Sequence, residues 1–246
     1  MIIYKSIGGS RLYGLNSELS DYDYRGVFLN EDISKIIGLD RYEHESNKSV
    51  IEDSFYYELR HFLNLCRKTN TQCIEMLYNT TNIIITSPIF NIIQSNKEKL
   101  IDSDKLFKSL IGYMYGELRL ANGERTGDLG KQRRNSIEKY GFSPKNWCNL
   151  LRLAHSGAYF YQKGILPANF SSYLPEISDY LLKVKNTPEL FTKEELQVKY
   201  DEAYKFFEES YKTTNIKFKF DIKLANDIIT IAYKKYIDDY YNKIIL

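Results

Sequence analysis

Gly8-Gly9-Ser10-Arg11-Leu12-Tyr13-Gly14-Leu15, followed by Ser20-Asp21-Tyr22-Asp23-Tyr24-Arg25-Gly26-Val27-Phe28, is the stretch on which the reading of this chain turns. Ile2 to Ile7 is a short β-type run that stops at the Gly-Gly-Ser turn, and Tyr22 to Leu29 alternates as a second strand. Residues two apart on a strand point to one face, so Asp21 and Asp23 share a face. Clustered carboxylate oxygens repel one another, and a divalent cation is the usual remedy. Gly9 lets backbone approach a ligand closely, and Ser10 offers a hydroxyl at the start of a helix. Together these features point to a site for a metal-bound nucleoside triphosphate. An ordinary strand–helix turn and a solvated Asp turn are the blander readings of the two halves. Neither GxGxxG nor GxxxxGK[ST] occurs, so neither a dinucleotide fold nor a P-loop is supported.

At 246 residues the chain can form one large domain or two small ones. Hydrophobic content of 43% and charged content of 27% read as soluble and globular. A net charge of +2 is too small for a wholesale nucleic-acid binder, but the charge is unevenly spread. From Glu117 to Arg152 eight Lys/Arg stand against four Asp/Glu, a local excess of four. Cys66, Cys73 and Cys148 have no zinc spacing, and an odd number completes no disulfide framework, so a reducing cytoplasm is the expected compartment. Met1 to Ile7 is too short for a signal core, and no apolar run reaches the ~18 residues a membrane helix needs, so no membrane partner is expected.

The pattern predicts an α+β chain: a small mixed-sheet head with flanking helices over 1–85, then a helical body over 86–246. In the head, Arg11–Glu18 and Lys35–Leu39 read as short helices, and Glu43–Tyr57 contains a third strand. Leu59, Phe62, Leu63 and Cys66 form a helical stripe, and Gln72–Tyr78 continues as helix. In the body, Pro88–Ile101, Lys105–Ala121, Lys145–Lys163 and Asp221–Tyr241 read as helices. Ser143-Pro144 starts one of them, and Thr192-Lys193-Glu194-Glu195 is a capping box that opens a helix to about Tyr211. Asn122–Gly130 is a polar loop, and Lys131–Tyr140 is polar.

The order Gly9-Ser10, then Asp21-Tyr22-Asp23, resembles the signature of the DNA polymerase beta-like nucleotidyltransferase superfamily. The longer stretches quoted above are similar to predicted nucleotidyltransferases of the YcgL type, found in bacteria and large phages. Tyr57-Glu58-Leu59-Arg60-His61-Phe62-Leu63, Gly112-Tyr113, Tyr140-Gly141-Phe142, Lys145 and Leu150-Leu151-Arg152-Leu153 extend the likeness, which thins beyond about residue 170. Arg11 and Asn149 depart from it, standing where the family often has His.

The resemblance implies a metal-dependent nucleotidyltransferase. Asp21 and Asp23 would bind Mg²⁺ or Mn²⁺, with a third carboxylate that falls on Asp53 by alignment or on its neighbour Glu52. Gly9 and Ser10 would hold the phosphates of an incoming NTP. Beside Arg133 and Arg134, Lys145 and Arg152, seven apart on one helix, would bind triphosphate or an RNA backbone; a solvated basic face is the plainer reading. RNA, tRNA ends included, is the expected acceptor, with a protein hydroxyl (AMPylation) or a small molecule as alternatives. A nucleotide-binding regulatory or anti-defence module with little turnover is the reading from another class. His44, His61 and His155 read as packing or surface residues, and Trp147, Tyr159, Phe160 and Tyr161 as helix core rather than a base-stacking wall.

Overall fold

The computed structural model describes residues 1–18, 20–39, 42–48, 52–124 and 130–245, and of residues 52, 132, 240, 241 and 243–245 the backbone alone. The chain is α+β and divides into two compact units, Met1–Ser103 with Lys217–Leu246, and Asp104–Ile216. The head expected over 1–85 lies inside the first unit, which also takes in residues 86–103 and the last thirty of the chain.

The first unit is built on a five-stranded mixed sheet of order β3-β4-β2-β1-β5. Its strands are β1 (Ile2–Ile7), β2 (Tyr22–Phe28), β3 (His44–Lys48), β4 (Glu52–Glu58) and β5 (Ile83–Thr86). β2 and β4 run parallel, and the other pairs are antiparallel. A parallel pair cannot be closed by a tight turn. The chain makes the crossing with α2 (Ser34–Ile37) and β3, the latter folding back on β4. A register shift between Ile2 and Tyr4 lets the consecutive residues Ile3 and Tyr4 both be fully buried. Tyr4 stacks on Phe90 with ring centroids 3.9 Å apart, and its hydroxyl accepts a hydrogen bond from Asn79 Nδ2 at 3.0 Å.

Three helices flank the last strand in sequence: α3 (Leu59–Arg67) and α4 (Thr71–Tyr78) before β5, and α5 (Pro88–Ser95) after it. Each begins on a side-chain cap, in turn Glu58, Asn70 and Ser87, and α5 has Pro in its first turn. Leu59, Phe62, Leu63 and Cys66 form the buried stripe of α3 expected from their spacing. The second unit is helical: α6 (Ser103–Ala121), α7 (Lys131–Tyr140), α8 (Pro144–Lys163), α9 (Phe170–Tyr173), α10 (Pro175–Asn186) and α11 (Lys193–Thr213). α8 is its axis, burying Trp147, Leu150, Leu151, Ala154, Ala158, Phe160 and Tyr161. Gly157 of α8 leaves room for the Phe207 ring of α11, since a Cβ there would stand 2.6 Å from Phe207 Cε2. The capping box of Thr192 and Glu195 opens α11 as its sequence predicts.

The last helix, α12 (Ile222–Ile245), belongs to the first unit. Ala225, Ile228 and Tyr233 are its buried positions. Tyr233 Oη donates to Glu58 Oε1 at 2.6 Å and accepts from the Asn30 N–H at 3.2 Å. Glu58 is itself buried and accepts the N–H groups of Arg60 and His61, so its carboxylate is fully engaged.

Several elements differ from expectation for identifiable reasons. The helix expected over 11–18 is one turn, α1 (Gly9–Tyr13), because Gly14 takes a left-handed conformation (φ 70°) and stops it. The region 43–57 holds two strands rather than one. The helix expected over 88–101 breaks at Asn96 into α5 and a 3₁₀ turn, Lys97–Leu100. Among the described residues no helix is long and apolar enough to cross a membrane.

Candidate active site

The β2–β4 register places Asp23 directly opposite Asp53 and Tyr22 opposite Glu52. Paired residues on neighbouring strands share a face, so Asp23 and Asp53 point together. The side chain of Glu52, the alternative third carboxylate, lies outside the described residues. Arg25 lies two residues along β2 from Asp23 and hence on the same face. Its Nη2 is 3.5 Å from Asp23 Oδ1 and 4.0 Å from Asp53 Oδ2, so one guanidinium spans both carboxylates. Arg25 Nη1 also donates to the carbonyls of Tyr24 (2.8 Å) and Asp53 (3.3 Å), which fixes the plane of the cation.

The Gly8-Gly9 turn is pressed against this group. The Gly8 N–H donates to the Asp23 carbonyl at 2.7 Å, and a Cβ on Gly8 would stand 2.9 Å from Arg25 Cγ. Gly9 adopts φ +59°, and a Cβ on it would overlap the Asp23 carboxylate. Glycine is therefore required twice at Gly9, for backbone conformation and for room. Ser10 follows in the first turn of α1, and its hydroxyl makes no hydrogen bond among the described residues.

Asp21 is exposed and precedes β2. Its backbone is held by Arg11, whose Nε donates to the Asp21 carbonyl (3.1 Å) and Nη2 to that of Ser20 (2.6 Å). Arg11 also lies over the Tyr22 ring at 3.9 Å. Tyr22 stacks on Tyr24 at 6.2 Å, and Lys5 Nζ sits 4.2 Å over Tyr24. This row braces the entry to β2 from the opposite face of the sheet. The departure at Arg11 thus has a definite structural task.

Among the described residues no three His, Cys, Asp or Glu side chains converge on one point. Asp23 and Asp53 are brought together, with Arg25 between them, while Asp21 stands outside the strand. Two facing carboxylates with the Gly9 turn beside them are a hard-oxygen donor set of the kind Mg²⁺ and Mn²⁺ take. Arg25 is the residue that sequence reasoning missed. Its signal was the period of two that paired Asp21 with Asp23, carried one step further.

Lys145 and Arg152 both lie on α8 in the helical unit, in different surroundings. Lys145 is exposed in the first turn, beside Arg133. Arg152 is buried, and its Nε and Nη2 donate to Asn149 Oδ1 at 3.2 and 2.9 Å. Trp147, Phe160 and Tyr161 are buried core. His155 has no metal-ligating neighbours among the described residues, and burial lowers its pKa to about 4.

A search of the curated proteins found no match. Residues 1–215 match the family model RlaP, described as the RNA repair pathway DNA polymerase beta family. A small mixed sheet, a Gly-Gly-Ser turn packed on one strand carboxylate and a second carboxylate facing it agree with that match, and this chain belongs to the RNA repair pathway DNA polymerase beta family.

Proposed function

We propose that the chain is a divalent-metal-dependent nucleotidyltransferase that moves a nucleoside monophosphate from an NTP to a hydroxyl of RNA. The observation that carries this reading is the contact of Gly9 with Asp23, which itself faces Asp53 across β2 and β4. The turn presents backbone and the Ser10 hydroxyl to the β- and γ-phosphates beside the acidic pair. Asp23 and Asp53, with Asp21 at the mouth of β2, would hold the metal. When bound, the metal screens the triphosphate charge and lowers the pKa of the acceptor hydroxyl. Asp53, the more exposed of the facing pair, holds the acceptor proton as the oxygen attacks the α-phosphorus in line. The new P–O bond forms as the α–β bridging bond breaks, and pyrophosphate leaves. Arg25 then serves as counter-ion to the carboxylates whenever the metal is away.

RNA as acceptor is supported by the family description and by the local basic excess between Glu117 and Arg152. The YcgL-type likeness belongs with this reading, and three buried free thiols suit a reducing cytoplasm. The test is incubation with α-labelled NTPs and total RNA or lysate. Label on RNA that disappears with Asp23→Asn supports the proposal. Label on protein would select AMPylation instead.

One observation favours a binding module with little turnover: Arg25 spans both carboxylates and offsets one of their two negative charges. Calorimetry with each NTP, with and without Mg²⁺, separates the two. Tight binding with no pyrophosphate released in the presence of RNA would select the binder.

A further inference from the structure

The helical unit carries a cavity of about 400 Å³ whose lining includes Lys131 and Arg133 of α7 and Ser143, Lys145 and Asn146 at the start of α8. Lys199 with Glu202 on α11 and Lys223 with Asp227 on α12 are examples of exposed lysines matched along their own helices. Lys131, Arg133 and Lys145 make no ion pair among the described residues.

Arg133 is moreover aimed by a buried polar relay. Glu117 Oε2 accepts from Asn146 Nδ2 at 2.8 Å, which fixes the orientation of the buried Asn146 amide. Asn146 Oδ1 then accepts two hydrogen bonds, from Ser143 Oγ at 2.7 Å and from Arg133 Nε at 3.0 Å. Held at Nε, the guanidinium keeps both terminal nitrogens for another acceptor, the bidentate geometry suited to a phosphate. An arginine oriented through its inner nitrogen, with two lysines beside it, is a preorganised anion site. None of the described lining residues carries an aromatic ring, so the cavity offers no aromatic platform for a base.

We propose that this cavity binds a phosphate of the RNA acceptor, with Arg133, Lys131 and Lys145 as its contacts and Asn146 as the positioning residue. The proposal rests on RNA being the acceptor, and it moves Lys145 from the nucleotide donor to the acceptor. The site reads charge rather than sequence, since phosphate contacts set register and carry no base information.

The test uses the full-length protein and fluorescence anisotropy of a labelled single-stranded RNA, in the absence of NTP and divalent metal. Two forms of the RNA, one ending in a hydroxyl and one in a phosphate monoester, distinguish a backbone diester from an end group. Arg133→Gln with Lys145→Gln is expected to weaken RNA binding roughly tenfold or more at low salt. It should also flatten the salt dependence by about one unit of slope for each phosphate no longer neutralised. Asn146→Ala, which leaves every cation in place, should weaken binding by a smaller factor with the slope nearly kept. Circular dichroism and thermal melts confirm that each variant is folded. Folded variants with unchanged RNA affinity and salt slope overturn the proposal. So does a fall in NTP affinity with RNA affinity intact, which would assign the cavity to the triphosphate. RNA binding that depends on Arg133 and Lys145 in a protein that never transfers nucleotide would leave the cavity standing and defeat the catalytic reading alone.

Discussion

Asp23 faces Asp53 directly across the parallel strands β2 and β4, and the two are joined through the guanidinium of Arg25 rather than by a hydrogen bond of their own. Like charges held this close need a cation, and the chain supplies one from its own strand. A divalent ion entering between them must compete with Arg25 for the same oxygens.

Arg25→Met therefore has two opposed effects. In metal-free buffer it leaves the carboxylates uncompensated, at a cost of about 1–2 kcal/mol, between the values of exposed and buried pairs. Mn²⁺ should bind the variant more tightly than the parent, and adding it should restore the melting temperature. Water-proton relaxation and thermal melts read both effects. Unchanged Mn²⁺ affinity would mean that Arg25 and the ion do not share the site.

Gly9→Ala should damage the site and the fold together. The methyl group falls on the Asp23 carboxylate, and φ +59° is strained for alanine. Urea unfolding should show a decrease of at least about 1 kcal/mol. Transfer activity should fall by far more than stability explains, because Asp23 is displaced. A variant with full activity would remove the Gly9–Asp23 contact from the mechanism.

Tyr233→Phe deletes the hydroxyl that donates to the buried Glu58. With a partner removed from a buried carboxylate, the expected cost is about 1–3 kcal/mol by denaturant titration. Burial and the neighbouring Glu58 carboxylate also push the Tyr233 phenol up from its ordinary value. A raised folded pKa stabilises below the unfolded value, and that stabilisation fades as pH rises past it. Stability of the parent should thus decline above about pH 10, and Tyr233→Phe should remove part of that slope.

His155 acts at the other end of the pH scale. Burial lowers it to about 4, so the unfolded chain takes up a proton between its ordinary value and that point while the folded chain does not. Its contribution is fully present above about pH 6.5 and fades progressively toward pH 4, up to about 3 kcal/mol. His155→Leu, beside Leu151, Ala203 and Phe206, should flatten this part of the stability profile. A slope unchanged by the substitution would place the titrating group elsewhere.

What the sequence shows of this molecule follows from which interactions are local. The α3 stripe, the Thr192–Glu195 capping box, the Ser143-Pro144 start and the Gly9-Ser10 turn are each encoded within a few residues and are legible there. β5 is not, because its three exposed isoleucines give no alternation and pair only with distant β1. The hairpin of β3 and β4 reads as one strand because its sequence carries no recognised turn signal. α7 is hidden by its polarity, since a helix with so few apolar residues shows no stripe. At the site, the period of two predicts Asp21 beside Asp23, yet Asp21 stands just before β2, and the partnership of Asp23 with Asp53 depends on strand register, which no single segment contains. The basic excess is visible as a count, whereas the relay that aims Arg133 joins three helices and is not.

The bond from Tyr233 to Glu58 spans 175 residues of sequence. The N-terminal sheet and α12 are made far apart in synthesis, with the whole unit Asp104–Ile216 emerging between them. Until residue 233 is made, Glu58 lacks its tyrosine partner, while by then the whole chain of the unit Asp104–Ile216 is available to fold. A ribosome that stalls before residue 233 releases a head lacking this clasp, so an intact first unit also reports that translation passed that residue.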